Sequence, residues 1–187
     1  MNTLIAEDDD ITRLLLTNAL RKLGHHVQEV TNGREAWAAW YGGKFPFIIS
    51  DWMMPDLDGL DLCRRVRAEQ RTDYTYIVLV TSRSGKTNYV EAVTAGVDDF
   101  ITKPFEKNPF AARVRVAERI LGLHANLRAA NTDLDRRVCE RTAALETSLR
   151  AAFGRIACLE ENQTNQGSLQ PRQDEIDQLK QMPPSLS

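Results

Sequence analysis

Short apolar runs, each followed by a stretch of helical spacing, constrain this fold more than any other feature of the sequence. The runs are Thr3–Ala6, Val27–Val30, Phe47–Ser50, Tyr76–Val80 and Phe100–Thr102. Between them lie amphipathic segments. Asp10–Leu23 carries Ile11, Leu14, Leu15, Ala19 and Leu23, and stops at Gly24. Arg34–Tyr41 sets Ala36, Trp37 and Trp40 on one side and ends at Gly42-Gly43; Leu60–Arg67 offers Leu60, Cys63 and Val66 as an inner face. Asn88–Ala95 stops at Gly96, and Pro109–Leu123 closes the series. Tyr76–Val80 is rich in the β-branched and aromatic residues that suit strands. Continuous apolar strands alternating with helices predict an α/β domain, a doubly wound five-stranded parallel sheet covered on both faces, over residues 1–123.

The chain's 187 residues suffice for one such domain and an appendage, and are few for two full domains. A net charge of −2 gives no bulk attraction to nucleic acid or anionic lipid, and neither is expected as a partner. The N-terminus turns acidic at Glu7 without a basic and apolar leader, and no apolar run approaches the roughly 20 residues of a membrane span. Cys63, Cys139 and Cys158 are too widely spaced for a metal-ligand pair and too few for a disulfide scaffold, which predicts reduced thiols in the cytoplasm.

Past Leu123 the pattern changes. Glycine and proline vanish until Gly154, and apolar residues recur at steps of three and four: Leu123, Leu127, Ala130, Leu134, Val138, then Leu145, Leu149, Ala152, Ile156 and Leu159. This is coiled-coil spacing, expected over 124–161 and continuous with the last helix of the domain. From Leu134 the steps run four-four-three through Val138 and Thr142 to Leu145, a stutter that locally unwinds a supercoil. Polar residues dominate 162–187, which predicts a loosely ordered tail, with Glu175–Met182 as a short amphipathic piece ended by Pro183-Pro184.

In doubly wound sheets, ligands sit beyond the carboxyl ends of the strands. Glu7 and Asp8 follow the first strand and Asp51 follows the third. Clustered carboxylates repel unless a cation joins them or a pKa shifts. A hard divalent ion such as Mg²⁺ fits, because it takes oxygen ligands and keeps waters that a phosphate oxygen can replace. Acids at loop starts are also common helix caps, and Asp9 or Asp10 is expected to cap the first helix. Thr81 ends the fourth strand and Lys103 follows the fifth, so a hydroxyl and an ammonium reach the same edge. A cation, a hydroxyl and a lysine around one carboxylate suit phosphoryl transfer, with that carboxylate as the nucleophile.

Four motifs carry a resemblance at this point. They are Glu7-Asp8 with Arg13; Ser50-Asp51-Trp52-Met53-Met54-Pro55-Asp56-Leu57-Asp58-Gly59; Val80-Thr81-Ser82; and Ala95-Gly96-Val97-Asp98-Asp99-Phe100-Ile101-Thr102-Lys103-Pro104-Phe105. In this order and spacing they resemble the receiver domain of bacterial two-component response regulators, over residues 1–123. The resemblance implies a flavodoxin-like fold with Asp51 as phosphoacceptor. It implies a Mg²⁺ (or Mn²⁺) site at Glu7, Asp8, Asp51 and the backbone carbonyl of Met53, with Asp8 the more direct ligand. Thr81 is implied as the switch hydroxyl, Lys103 as the phosphoryl partner and Phe100 as the switch aromatic, which, lacking a hydroxyl, reports by packing. The Lys103–Pro104 bond resembles one that is cis in the family. Gly59 is expected to permit the turn after Asp58. Met53 and Arg83 occupy positions that overhang the site, and their bulk implies hindered hydrolysis of the phosphoryl group.

His25, His26 and His124 are the only histidines. His124 lacks the acid that usually follows a kinase phosphohistidine, so no donor role is expected. Trp37 and Trp40 read as packing residues, and Trp52 as partly exposed beside the site. Arg136, Arg137 and Arg141 read as a solvated coil face.

The implied partner is a sensor histidine kinase or phosphotransfer protein, and the coil predicts a homodimer of undefined orientation. No enzymatic activity is expected beyond self-phosphorylation from a donor and autodephosphorylation. Arg137–Glu146 is similar to coils that precede signalling output domains, including kinases and cyclases. The alternative is therefore a regulatory N-terminal part of a longer enzyme, with a diguanylate cyclase or kinase module absent. The terminal Pro183-Pro184-Ser185-Leu186-Ser187 favours the first reading.

Overall fold

The computed structural model describes residues 1–69, 71, 73–82 and 86–167. Strands and helices alternate strictly: β1 (Asn2–Ala6), α1 (Asp10–Lys22), β2 (His26–Val30), α2 (Gly33–Gly42), β3 (Phe47–Asp51), α3 (Gly59–Ala68), β4 (Tyr76–Thr81), α4 (Lys86–Thr94), β5 (Asp99–Thr102) and α5 (Lys107–Gly167). All strand pairs are parallel, in the order β2-β1-β3-β4-β5, so β1 and β3 lie side by side. This is the five-stranded parallel α/β sheet that the alternation predicted.

Side chains leave a strand to alternate faces, and the core divides accordingly. Ile5, Phe47, Ile49, Val78, Val80 and Ile101 pack with Leu16 and Leu20 of α1 and with Phe110, Val114, Ala117 and Leu121 of α5. Leu4, Ala6, Ile48 and Ile77 face the other way, onto Ala36 and Trp40 of α2 and Leu62, Cys63 and Val66 of α3. Each fully buried Leu, Ile or Phe contributes about 2 kcal/mol relative to exposure.

Local signals set the helix ends. Asp9, Asn32 and Asp58 are N-caps whose side chains accept from Thr12 N, Glu35 N and Asp61 N. At Gly24 the chain turns with φ +85° after α1. The inner face of α1 differs from the one its apolar spacing suggested. Leu16, Thr17 and Leu20 are buried, whereas Ile11, Leu14 and Leu15 are more than half exposed. A helix on a sheet buries one stripe, and in Leu14-Leu15-Leu16 only the third side chain falls on it. Trp52 is also corrected: it is 4% exposed and packs with Leu60, Leu79, Ala92 and Ala95. Trp40 is buried, and its indole donates to Thr75 Oγ1 at 3.0 Å.

The chain divides into two compact units, Met1–Ala129 and Ala130–Ser187. In the second, α5 extends to Gly167, into the stretch read as tail; residues 168–187, with the Glu175–Met182 piece, lie outside the described residues. Among the described residues no helix is long and apolar enough to cross a membrane.

Candidate functional site

Hydrogen bonds that continue past the strand ends hold the carboxyl edge of the sheet. Glu7 N donates to Val30 O at 3.1 Å, Trp52 N to Val80 O at 2.9 Å and Lys103 N to Thr81 O at 2.7 Å. Asp51 ends β3 and Thr81 ends β4, with Thr81 opposite Thr102 in the register. Glu7, Asp51, Thr81 and Lys103 therefore reach one rim from four strands, and backbone pairing fixes each position. Arg13 of α1 donates to the carbonyls of Glu7 at 2.8 Å and Asp8 at 3.3 Å, which pins the loop carrying both acids. The sequence offered Arg13 only as part of a motif, without this role.

Lys103 Nζ donates to Glu7 Oε1 and to Asp51 Oδ2, each at 2.8 Å. Met53 N lies 3.4 Å from Asp51 Oδ1. One carboxylate oxygen each of Glu7, Asp8 and Asp51 falls within 4.8 Å of the others. The Glu7 side chain is wholly buried, and among the described residues its Oε2 has no hydrogen-bond partner. Burial pushes the Glu7 pKa up to about 7; the Asp51 charge adds to this rise and the Lys103 hydrogen bond opposes it. For Lys103 burial acts downward, but its hydrogen bonds to Asp51 and Glu7 outweigh that and raise its pKa.

This donor set fits a hard divalent cation. Three carboxylates meet one ammonium, leaving excess negative charge, and a buried carboxylate oxygen has no protein donor. Glu7, Asp8 and Asp51 are the residues placed to hold such an ion.

Thr81 is buried at the end of β4. Phe100 is partly buried against the cluster of Trp52, Leu60 and Leu79. Met53 is 53% exposed two residues after Asp51, and Arg83 lies outside the described residues. The Lys103–Pro104 peptide is cis. Gly59 is required for a different reason from the one expected. Its φ is not positive, but a Cβ there would stand 2.1 Å from the Asp51 carbonyl oxygen. The bare α-carbon lets the start of α3 close on the strand end, where Gly59 N donates to Trp52 O at 2.9 Å.

Sequence reading missed a second polar cluster, at the opposite end of β4 and β5. Arg67 binds Gly96 O at 2.8 Å, Thr75 O at 2.7 Å and Asp98 Oδ2 at 2.6 Å. Asp98 also accepts from Ile77 N at 2.6 Å and from the Tyr74 hydroxyl. Its members are scattered along the chain, so no local motif marks it.

Comparison with known proteins agrees with this geometry. The family model "Response regulator receiver domain" matches residues 3–115. The transcriptional regulatory protein TcrA of Mycobacterium tuberculosis is 37% identical over 116 residues, covering 62% of this chain and 45% of that protein. This chain thus spans less than half the length of that relative. The chemotaxis protein CheY of Pseudomonas aeruginosa is 33% identical over 124 residues, covering 65% of this chain and 100% of that one. A signal receiver domain of a histidine kinase from Syntrophus aciditrophicus superposes with a TM-score of 0.57 at 33% identity, covering 65% of this chain and 89% of its own. The receiver domain of a Pseudomonas aeruginosa sensor histidine kinase, solved with magnesium in its active-site cleft, gives a TM-score of 0.57 at 26% identity, covering 65% of this chain and 97% of its own.

Proposed function

Because the chain belongs to the response regulator receiver family, whose general role is to be phosphorylated by histidine kinases, we propose that Asp51 is its phosphoacceptor and that Glu7, Asp8, Thr81 and Lys103 serve the transfer. The observation that supports this reading best is Lys103 Nζ at 2.8 Å from both Asp51 and Glu7, an ammonium within reach of a group carried on the Asp51 carboxylate. A carboxylate oxygen of Asp51 attacks the phosphorus of a phosphohistidine on a kinase or phosphotransfer protein. The P–N bond breaks, the imidazole nitrogen takes the electron pair, and an acyl phosphate remains. Lys103 then moves from carboxylate to phosphoryl oxygen, and Thr81 donates its hydroxyl to another. Glu7, Asp8, Asp51 and the Met53 carbonyl would hold a Mg²⁺, which would supply positive charge to offset that on the phosphoryl oxygens. The exposed Ile11, Leu14 and Leu15 of α1 give a donor an apolar surface beside Asp8.

The chemistry is limited to accepting the phosphoryl group and hydrolysing it, the latter slowed by Met53 and Arg83. Phosphorylation draws Thr81 and Phe100 toward the site and biases the surface of α4 and α5. The output is a homodimer through the outer part of α5, acting in the cytoplasm on a partner protein. A second reading has some support: TcrA continues well beyond the matched region, so a receiver of this kind can be the regulatory part of a longer signalling protein.

The test is incubation of the full chain with Mg²⁺ and acetyl phosphate, followed by intact-mass measurement. Wild type gains one hydroxylamine-sensitive phosphoryl group, whereas Asp51→Asn and chelator-treated wild type gain none. Labelling of Asp51→Asn at the wild-type level overturns the assignment.

A further inference from the structure

The second unit is a helix without a core of its own. Leu134, Val138, Leu145, Leu149, Ile156 and Leu159 are each more than half exposed. From Ala130 onward no described side chain is buried. The polar side is tied within the helix: Arg136 pairs with Asp133 at 2.6 Å and Glu140 at 2.7 Å, and Arg137 pairs with Asp133 at 2.8 Å. These polar groups are served within the helix, whereas the apolar row requires a cover from outside.

The charges beside that row select the cover. With Val138, Leu145, Ala152 and Leu159 at d and Thr142, Leu149 and Ile156 at a, the heptad frame puts Arg141 and Arg155 at g and Glu146 at e. In a parallel, in-register pair each g residue faces the e residue five positions on in the other chain. Arg141 then meets Glu146 of the second copy, twice by symmetry. In an antiparallel pair g faces g and e faces e. The antiparallel register that seats Leu145 on Leu149 of the second copy sets Arg141 against Arg155 and Glu146 against Glu146. Like charges on both flanks act against that arrangement.

We propose that the outer stretch of α5 pairs with a second copy of this chain as a parallel, in-register coiled coil, with Arg141–Glu146 pairs between chains fixing the orientation. That a pair forms at all rests on the dimer reading above; the orientation is the added inference. Both chains then leave the coil at the same end, side by side. The four-four-three stretch from Leu134 to Leu145 faces its own copy, so both strands change winding at the same level.

The test uses the full chain, light scattering for mass, and pulsed electron-spin distances between single labels. Cys63 is buried, with its thiol pushed up to about 11, and does not label at neutral pH. One label goes on native Cys139 after Cys158→Ser. Others go on Asn131→Cys and Thr147→Cys with Cys139 and Cys158 both replaced by Ser. The parallel coil gives similar short distances at all three sites. An antiparallel coil centred near Thr147 adds about 24 Å of axial separation at 139 and about 48 Å at 131, at about 1.5 Å rise per residue. A second arm measures dimer dissociation for Arg141→Glu. The parallel coil is weakened about tenfold and regains affinity on adding Glu146→Arg, whereas an antiparallel coil tightens. A monomer at all concentrations overturns the dimer reading and this inference together. A dimer with stepped distances, or one tightened by Arg141→Glu, overturns the orientation alone.

Discussion

Phe110 and Leu145 lie on the same helix, one 1% exposed and the other 66%. Phe110 belongs to a core that α1, α5 and four strands complete. Leu145 belongs to an apolar row that no described side chain of the second unit buries. The same contrast separates the carboxylate cluster at the sheet edge from the outer part of α5. At the sheet edge, strand ends bring Glu7, Asp51 and Lys103 into contact and set Thr81 on the same rim, so the geometry is fixed by folding. In the outer part of α5, apolar spacing is present, but the row stays exposed, and the proposed second copy is what would cover it. An apolar helical residue therefore says little by itself; what matters is whether the fold supplies the opposing face.

Truncation on either side of this divide is the sharpest way to break the comparison. Phe110→Ala should cost the receiver about 4 kcal/mol in urea unfolding followed by the fluorescence of Trp37, Trp40 and Trp52. Leu145→Ala should change the same transition by less than about 0.5 kcal/mol, because its side chain is 66% exposed. Equal losses would show that the two units unfold as one. A smaller effect, about 2 kcal/mol, is expected for Asp98→Ala, which leaves Arg67, the Tyr74 hydroxyl and Ile77 N without their shared acceptor. Acetyl phosphate labelling of Asp51 should persist in that variant, since the cluster lies at the far end of β4 and β5. Loss of labelling with stability intact would mean that the two ends of the sheet are coupled.

The site was legible in sequence because its chemistry needs particular residue types at strand ends, and strand ends are marked by composition. Asp51, Thr81 and Lys103 each close an apolar run, so position and reactivity coincide in the chain. The buried stripe of α1 was not legible, because periodicity gives a helix but not its rotation about its own axis; only packing on β1 and β3 selects Leu16 and Leu20. Trp52 misled for a related reason. It follows Asp51, yet its ring packs in the cluster with Leu60, Leu79, Ala92 and Ala95. Gly59 showed that a glycine can be required by a 2.1 Å approach to backbone as well as by a turn, and spacing cannot distinguish the two. The Arg67–Asp98–Tyr74 cluster exists only once the sheet is assembled.

The smallest effect concerns His25, a buried histidine where α5 packs on the base of the sheet. Its Nδ1 lies 2.7 Å from Thr3 Oγ1 and its Nε2 lies 3.0 Å from Glu118 Oε1. Burial holds the imidazole below its usual 6.5; the Glu118 hydrogen bond opposes this, and the N-terminal ammonium adds to the lowering. The unfolded chain therefore takes up this proton at higher pH than the folded one. Between the two pKa values the unfolded state binds more protons, so stability rises with pH there. The contribution of His25 is complete above 6.5 and is lost as pH falls through the folded value. Unfolding of wild type and His25→Gln, compared from about pH 7.5 to about pH 5.5, should show wild type losing more stability on acidification. The opposite trend would mean that Glu118 governs the site and that the charged pair, not the buried neutral ring, fastens α5 to β1. Leu145→Ala should leave this pH dependence unchanged, because no described side chain beyond Ala130 is buried.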